Sequence, residues 1–114
     1  MKVIIIGLGL IGGSIAKQLI KNTALQVFAY DSNTISLKSA LNNSSIHGKL
    51  YNLDELNSTE YENSLIIIAT PPKASLEILR SLHFLFNSSV TITDTSSIKL
   101  PVEKILIEFD SPNN

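Results

Sequence analysis

Three glycines near the start of the sequence have a spacing that can bind phosphate. Gly7, Gly9 and Gly12 form the pattern G-x-G-x-x-G, after an apolar run and before a stretch of helical periodicity. There, the first glycine permits a tight turn, the second lets a pyrophosphate approach the backbone, and the third lets helix and strand pack closely. The free N–H groups near Leu10 and Ile11, with the positive end of the helix dipole, would then hold the phosphates.

An acidic residue follows at the distance that such a turn requires. Asp31 ends the second apolar stretch, about twenty residues beyond the glycines, where a carboxylate accepts hydrogen bonds from the ribose hydroxyls of adenosine. It would repel a 2′-phosphate, and no arginine follows it from Ser32 to Thr34. Asp31 and Ser32 therefore extend the predicted dinucleotide site, which favours NAD over NADP. The alternative is that the glycines only form a tight turn and that Asp31 caps the next helix.

Two later loops carry polar residues at the ends of predicted strands, where ligands of such sheets bind. In the first loop, Pro71 could form a wall of the cofactor site, and Thr70 could form a hydrogen bond to the cofactor. Residues 94–97 offer a carboxylate and three hydroxyls near the expected nicotinamide, among them Ser97. An ordinary helix start explains either loop, including Lys73, equally well.

The remaining residues with acid–base or metal chemistry lie away from these loops. His47 falls in a stretch without a clear pattern and is predicted to be a solvated loop residue. His83 and Arg80, the only arginine, fall in a helical pattern and are predicted on its surface. The sequence has no cysteine and no cluster with metal-ligand spacing, so it predicts no disulfide, thiolate or metal site.

Strands and helices that alternate along the chain would position these residues. Apolar stretches predict strands at residues 3–6, 26–30, 65–69 and 90–93, and a short edge strand at Leu50 and Tyr51. Helical spacing of apolar residues predicts helices over residues 11–20, 33–42, 74–85 and 98–109, and a helical turn at 54–56. Such alternation indicates an α/β fold of Rossmann-like type, with a doubly wound parallel sheet and helices on both faces.

Length and composition allow one such domain. The chain has 114 residues, of which 44% are hydrophobic and 17% charged, which suits one core. Residues 1–109 are predicted to form the dinucleotide-binding domain and residues 110–114 a frayed tail. Nine basic and ten acidic residues indicate neither nucleic acid nor a membrane as partner. The apolar start is too short for a membrane span and lacks a cleavage site, so a cytoplasmic protein is favoured over an exported one.

Four segments together resemble one enzyme family. The segments GLGLIGGSIAKQL, VFAYDSN, LIIIATPP and VTITDTSSIK are similar to the N-terminal NAD-binding domain of the prephenate/arogenate dehydrogenase family. Members of that family oxidatively decarboxylate prephenate, or its amino analogue arogenate, on the route to tyrosine. The resemblance implies that the three glycines and Asp31 bind the cofactor. It also implies that Ser97, with Lys99 two residues on, lies beside nicotinamide and substrate as the candidate catalytic residue, although Ser96 stands where many members have glycine.

The resemblance further implies that parts of the enzyme are missing from this chain. In the family, a histidine that assists at the substrate hydroxyl follows the serine–lysine motif, and a helical second domain supplies a carboxylate-binding arginine and the dimer surface. The sequence ends at Asn114, before both. We therefore expect the cofactor half of a prephenate dehydrogenase-like oxidoreductase, a monomer by default. It would bind prephenate or arogenate only with the C-terminal domain and would be inactive alone.

Two other functions remain compatible with the same residues. The chain could be a free-standing dinucleotide-sensing module that regulates a partner. It could also be the N-terminal domain of another β-hydroxyacid or imine dehydrogenase, because those domains share the glycine turn. The position of Ser97 relative to the nicotinamide would discriminate between the last group and the prephenate dehydrogenases.

Overall fold

The computed structural model describes residues 1–85 and 89–95. Several sequence predictions lie outside these ranges and stay predictions. They are the helix at 98–109, the tail at 110–114 and the residues Ser96, Ser97 and Lys99.

Strands and helices alternate along the described chain, as the hydrophobic pattern predicts. The strands are β1 (Lys2–Ile6), β2 (Gln26–Tyr30), β3 (Gly48–Lys49), β4 (Leu65–Ile68) and β5 (Thr91–Asp94). The helices are α1 (Leu10–Asn22), α2 (Thr34–Asn42) and α3 (Pro72–Ser81). Short 3₁₀ segments span Leu53–Asn57, Thr59–Tyr61 and His83–Leu85.

Two predicted elements differ clearly from the structure, the edge strand and the helix after β4. The edge strand is Gly48–Lys49 and not Leu50–Tyr51, because Gly48 can lie against Phe28 of β2, where any Cβ would stand 2.7 Å from the ring. The helix predicted over residues 74–85 begins earlier, at Pro72, since proline suits a first helical turn. It ends at Ser81, and the chain continues as the 3₁₀ turn His83–Leu85.

Within the described residues, the sheet has five parallel strands in the order β3-β2-β1-β4-β5. From β1 the chain proceeds outward to β2 and β3, then returns to β4 on the other side of β1 and proceeds to β5. The point where the direction reverses lies between β1 and β4, where Ile6 and Ile68 are paired at the carboxyl ends. Ligands of doubly wound sheets bind at this switch point, so the topology predicts the location of a site.

The central strands are buried on both faces, which explains their continuous apolar runs. Val3 and Ile5 of β1 pack into a cluster with buried residues of α1 and α2. Ile4 and Ile6 pack into the opposite cluster, which includes Leu82 and partly buried residues of α3. All four of these β1 side chains are at most 1% exposed. Helices therefore cover both faces of the sheet.

His47 has a structural role that its sequence context did not indicate. Its side chain is exposed, as predicted. Its Nδ1, however, accepts the backbone N–H of Val27 at 2.9 Å, and the backbone N–H of His47 donates to the Val27 carbonyl oxygen at 2.8 Å. The imidazole thus takes the place of a strand residue and extends the hydrogen bonding of β2 beyond the two-residue strand β3.

None of the helices in the described ranges combines the length and apolar character that a membrane span requires.

Candidate functional site

The glycine turn packs so closely that two of its positions accept no side chain. Gly7 has φ +101°, and a Cβ there would lie 2.8 Å from both the Ala69 carbonyl oxygen and Cγ2 of Thr70. A Cβ on Gly12 would lie 1.9 Å from the carbonyl oxygen of Gly7. These two glycines therefore allow the first turn of α1 to lie against the ends of β1 and β4.

Gly9 differs from the other two, because the fold leaves open space beside it. A Cβ at Gly9 would meet no atom within 4 Å, and its backbone is extended, with φ −68° and ψ −163°. Gly9 is the residue just before α1, and it has no side chain that could cap the helix. The first N–H groups of a helix lack intrahelical acceptors. Those of Leu10 and Ile11 therefore stand beside an open surface, as a pyrophosphate site requires.

Asp31 connects the glycine turn to the loop after β2. Its Oδ2 accepts the backbone N–H of Leu8 at 2.7 Å, and its Oδ1 accepts the backbone N–H of Asn33 at 2.8 Å. Asn33 is the residue that caps α2, because its side chain accepts the N–H groups of Ile35 and Ser36. The alternative that Asp31 caps this helix is therefore wrong. A carboxylate has about four acceptor positions, so about two remain for hydroxyl donors.

The loop after β4 forms the opposite wall. Thr70 is half-buried, and its Oγ1 lies 2.7 Å from Oγ of Ser75. Pro71 is exposed and precedes α3, which begins at Pro72. Lys73 is an exposed residue of the first turn of α3 and does not line the cleft, as the interpretation of an ordinary helix start predicts.

A cleft of about 650 Å³ lies between these two walls, at the predicted switch point. Its lining brings residues of the glycine turn, the loop after β4, α3 and the end of β5 together: Gly9, Leu10, Ile11, Ile68, Ala69, Thr70, Pro71, Pro72, Ser75, Leu76, Leu79, Asp94 and Thr95. The rim is apolar, since Leu10 is 93% and Ile11 59% exposed. The cleft can thus accept a ligand with a flat apolar part on one side and phosphates on the other.

Most of the residues predicted from the sequence meet in this region. Gly9, Leu10 and Ile11 face Thr70 and Pro71 across the cleft. Asp31 is held against the same turn through Leu8, and Ser32 is exposed beside it. Ser97 lies outside the described residues, although Asp94 and Thr95 of the same loop line the cleft.

Sequence reasoning missed Ser75 as a residue of the cleft. It predicted the start of the second helix at residue 33 but missed that Asn33 also holds Asp31. Ser75 lines the cleft, and its position in the first turns of the helix after a proline pair was the available signal. Asn33 anchors the loop that holds Asp31; an asparagine one residue before a helical pattern is an N-cap signal.

The other residues with acid–base or metal chemistry stay outside the cleft. His83 and Arg80 are exposed, and Nδ1 of His83 lies 3.2 Å from the Arg80 carbonyl oxygen at the end of α3. Within residues 1–85 and 89–95, no three His, Asp or Glu side chains are grouped so that they could bind a metal ion. The described part of the site consists of backbone groups, hydroxyls and the carboxylates of Asp31 and Asp94.

Solved structures of two dehydrogenases have a similar fold. A prephenate dehydrogenase from A. aeolicus, in complex with hydroxyphenyl propionate and NAD⁺, aligns with a TM-score of 0.74 and 24% identity over 96% of this chain and 38% of that chain. An arogenate dehydrogenase from Synechocystis aligns with a TM-score of 0.72 and 22% identity over 97% of this chain and 38% of its own. A second structure of prephenate dehydrogenase from Aquifex aeolicus has a TM-score of 0.71 and 25% identity, over 81% and 33% of the respective chains.

Models of known protein families find no match in the sequence. The chain spans between 33% and 38% of the length of the three matched chains. The resemblance that its motifs indicate is confirmed in three dimensions: the chain has a Rossmann-like α/β fold similar to part of the prephenate and arogenate dehydrogenases.

Proposed function

We propose that this chain is the NAD-binding part of a prephenate dehydrogenase-like oxidoreductase. The observation that carries the proposal is the open backbone surface at Gly9, next to the start of α1 and to a turn that Asp31 holds in place. The packing explains Gly7 and Gly12, but it does not explain why position 9 is glycine. A ligand that approaches the backbone there, as a pyrophosphate does, supplies the reason.

The described residues divide the binding of NAD among them. Backbone N–H groups of Leu10 and Ile11 bind the pyrophosphate, which lies over Gly9 at the positive end of α1. Asp31 accepts hydrogen bonds from the ribose hydroxyls of the adenosine, and Ser32 borders that ribose. Thr70 and Pro71 line the nicotinamide half of the cleft.

The preference for NAD over NADP rests on charge. The Asp31 carboxylate would lie within hydrogen-bond distance of the ribose, where a 2′-phosphate would meet it at short range. Repulsion between like charges is large where solvent is partly excluded, and Asp31 is itself half-buried. The residues that follow it, Ser32 to Thr34, carry no positive charge that could compensate.

The substrate and the chemistry belong to a larger assembly. The bound NAD would supply the hydride acceptor, and loss of carbon dioxide would then give 4-hydroxyphenylpyruvate from prephenate. In this proposal Ser97 lies beside the nicotinamide, and a second, helical domain supplies the base and the carboxylate-binding arginine. The chain alone is then a cytoplasmic monomer that binds the dinucleotide and turns over neither prephenate nor arogenate.

Calorimetric titration with NAD and NADP, together with a prephenate oxidation assay, tests the proposal. We expect heat of binding with NAD, weaker binding of NADP and no production of NADH from prephenate. Absence of binding with either nucleotide would contradict the cofactor assignment. Measurable turnover by this chain alone would contradict its assignment as a binding part.

A further inference from the structure

Two hydroxyls in the wall of the cleft, those of Thr70 and Ser75, lie within hydrogen-bond distance of each other. Oγ of Ser75 lies 2.9 Å from the backbone oxygen of Thr70 and 2.7 Å from Oγ1 of the same residue. Since a carbonyl oxygen only accepts, the Ser75 hydroxyl donates its single hydrogen to it. The second contact is then a hydrogen bond only if Thr70 donates. The hydroxyl hydrogen of Thr70 is then donated to Ser75. Oγ1 can therefore only accept a hydrogen bond from any further partner.

The glycine turn holds the Thr70 side chain from the other side. Cγ2 of Thr70 lies so close to Gly7 that a Cβ added to Gly7 would be 2.8 Å from it. A rotation that exchanges methyl and hydroxyl would move Oγ1 away from Ser75 and break their hydrogen bond. Threonine is also stiff about χ1. The orientation of the hydroxyl is therefore determined by Gly7 on one side and by Ser75 on the other.

Because the cleft is largely apolar, a hydroxyl that can only accept a hydrogen bond affects which ligand binds there. Thr70 and Ser75 both line the cleft, where Pro71, Leu76 and Leu79 supply apolar surface. A ligand that fills the cleft removes water from Oγ1, and an acceptor that loses water without gaining a donor destabilises the complex. The wall therefore discriminates in favour of a ligand that brings a hydrogen-bond donor.

We propose that Thr70 is a specificity-determining acceptor of this cleft and that Ser75 is the positioning residue that makes it one. The inference rests on the proposed dinucleotide site and names the ligand group that Thr70 recognises, an O–H or N–H donor. The nicotinamide half of NAD carries two kinds of donor, the hydroxyls of its ribose and the NH₂ of the amide on its ring. Both are donors, so the same polarised wall suits either.

Binding measurements on four nucleotides test this. The substitution Thr70→Val keeps the methyl against Gly7 and removes the acceptor, and Thr91→Val, at the exposed amino end of β5, is the matched control. The ligands are NAD, its 3-acetylpyridine analogue without the amide NH₂, ADP-ribose without the nicotinamide, and ADP without both donors. We expect Thr70→Val to weaken the binding of NAD by about threefold to tenfold, as for the loss of one hydrogen bond. The affinity for ADP should stay unchanged.

The analogues identify the donor. If it is the amide, Thr70→Val weakens NAD but neither the acetylpyridine analogue nor ADP-ribose. If it is a ribose hydroxyl, the substitution weakens all three equally. The positioning role of Ser75 predicts a smaller loss with Ser75→Ala, on the same ligands, and recovery with Ser75→Thr.

Two results would overturn the inference while the dinucleotide site stands. Either the wild-type chain binds NAD and Thr70→Val binds it equally well, or the substitution weakens ADP as much as NAD. A wild-type chain that binds none of the four nucleotides would overturn the proposed function as well.

Discussion

Asp31 and Leu8 are joined by a hydrogen bond of 2.7 Å between the carboxylate Oδ2 and the backbone N–H. The contact connects the end of β2 to the first residue after the tight glycine, so the carboxylate has its position before any ligand arrives. A second hydrogen bond, from the N–H of Asn33 to Oδ1, restricts the carboxylate further. Preorganisation of this kind lowers the entropy lost when a ligand binds.

Asp31→Asn should weaken the binding of NAD more than the binding of NADP. An amide has one acceptor oxygen in place of two, so one backbone N–H or one ribose hydroxyl loses its partner, while repulsion of a 2′-phosphate disappears. Loss of a hydrogen bond to a charged group corresponds to about a tenfold to hundredfold weaker binding of NAD. Titration of both nucleotides measures this change, with Asp54→Asn, an exposed carboxylate, as the control. An unchanged ratio of the two affinities would argue against the ribose contact.

Alanine at Gly9 and at Gly12 should have opposite consequences. At Gly9 the fold leaves space, so Gly9→Ala should change the free energy of unfolding by less than about 1 kcal/mol but should strongly weaken NAD. At Gly12 the Cβ would lie 1.9 Å from the Gly7 carbonyl oxygen, so Gly12→Ala should cost more than about 3 kcal/mol. Urea unfolding and calorimetry of both variants provide the measurements. Strong NAD binding by Gly9→Ala would contradict the pyrophosphate position.

The sequence predicted the parts of the fold that depend on buried apolar runs. The short β-branched and apolar runs from Val3 to Ile6 and from Leu65 to Ile68 are typical of strands buried on both faces, and the structure places them side by side. The glycine spacing predicted where α1 begins because a nucleotide turn follows from geometry that a few residues determine. Asp31 was identifiable for the same reason.

Other features depend on contacts between residues distant in sequence. The position of β3 follows from the fit of Gly48 against Phe28, which no local pattern reveals. His47 was predicted as a plain loop residue because its bond to Val27 spans twenty residues. The polarity of Thr70 depends on Ser75 and Gly7 together, and an isolated threonine gives no indication of it.

Replacement of His47 should loosen the edge of the sheet. Because Nδ1 accepts the Val27 N–H, His47→Ala leaves that donor without its partner, at a cost of about 1–2 kcal/mol. His47→Asn keeps an acceptor at the position of Nδ1 and should restore most of the stability. Urea unfolding measures the cost, and hydrogen exchange at the Val27 amide locates it. Equal exchange rates in wild type and His47→Ala would refute this role.

Tyr61 should make the fold sensitive to alkaline pH. Burial raises the pKa of Tyr61 above the ordinary tyrosine value of 10.0, and the nearby carboxylates Glu60 and Glu55 raise it further. A phenol whose pKa is raised in the folded state binds its proton more tightly there than in the unfolded chain. Its stabilisation is therefore complete below about pH 10 and is lost as the pH rises through the folded-state pKa.

The substitution Tyr61→Phe isolates this contribution. Phenylalanine keeps the edge-to-face contact with Phe28, whose ring centroid lies 6.0 Å away, but cannot ionise. The free energy of unfolding of wild type should fall more steeply than that of Tyr61→Phe between pH 9 and about pH 11, as urea titrations at several pH values would measure. Tyr51→Phe removes a tyrosine that is 77% exposed and should retain the wild-type slope. Parallel curves for wild type and Tyr61→Phe would show that ionisation of Tyr61 does not contribute, because the steeper fall requires a proton that only the folded state holds tightly.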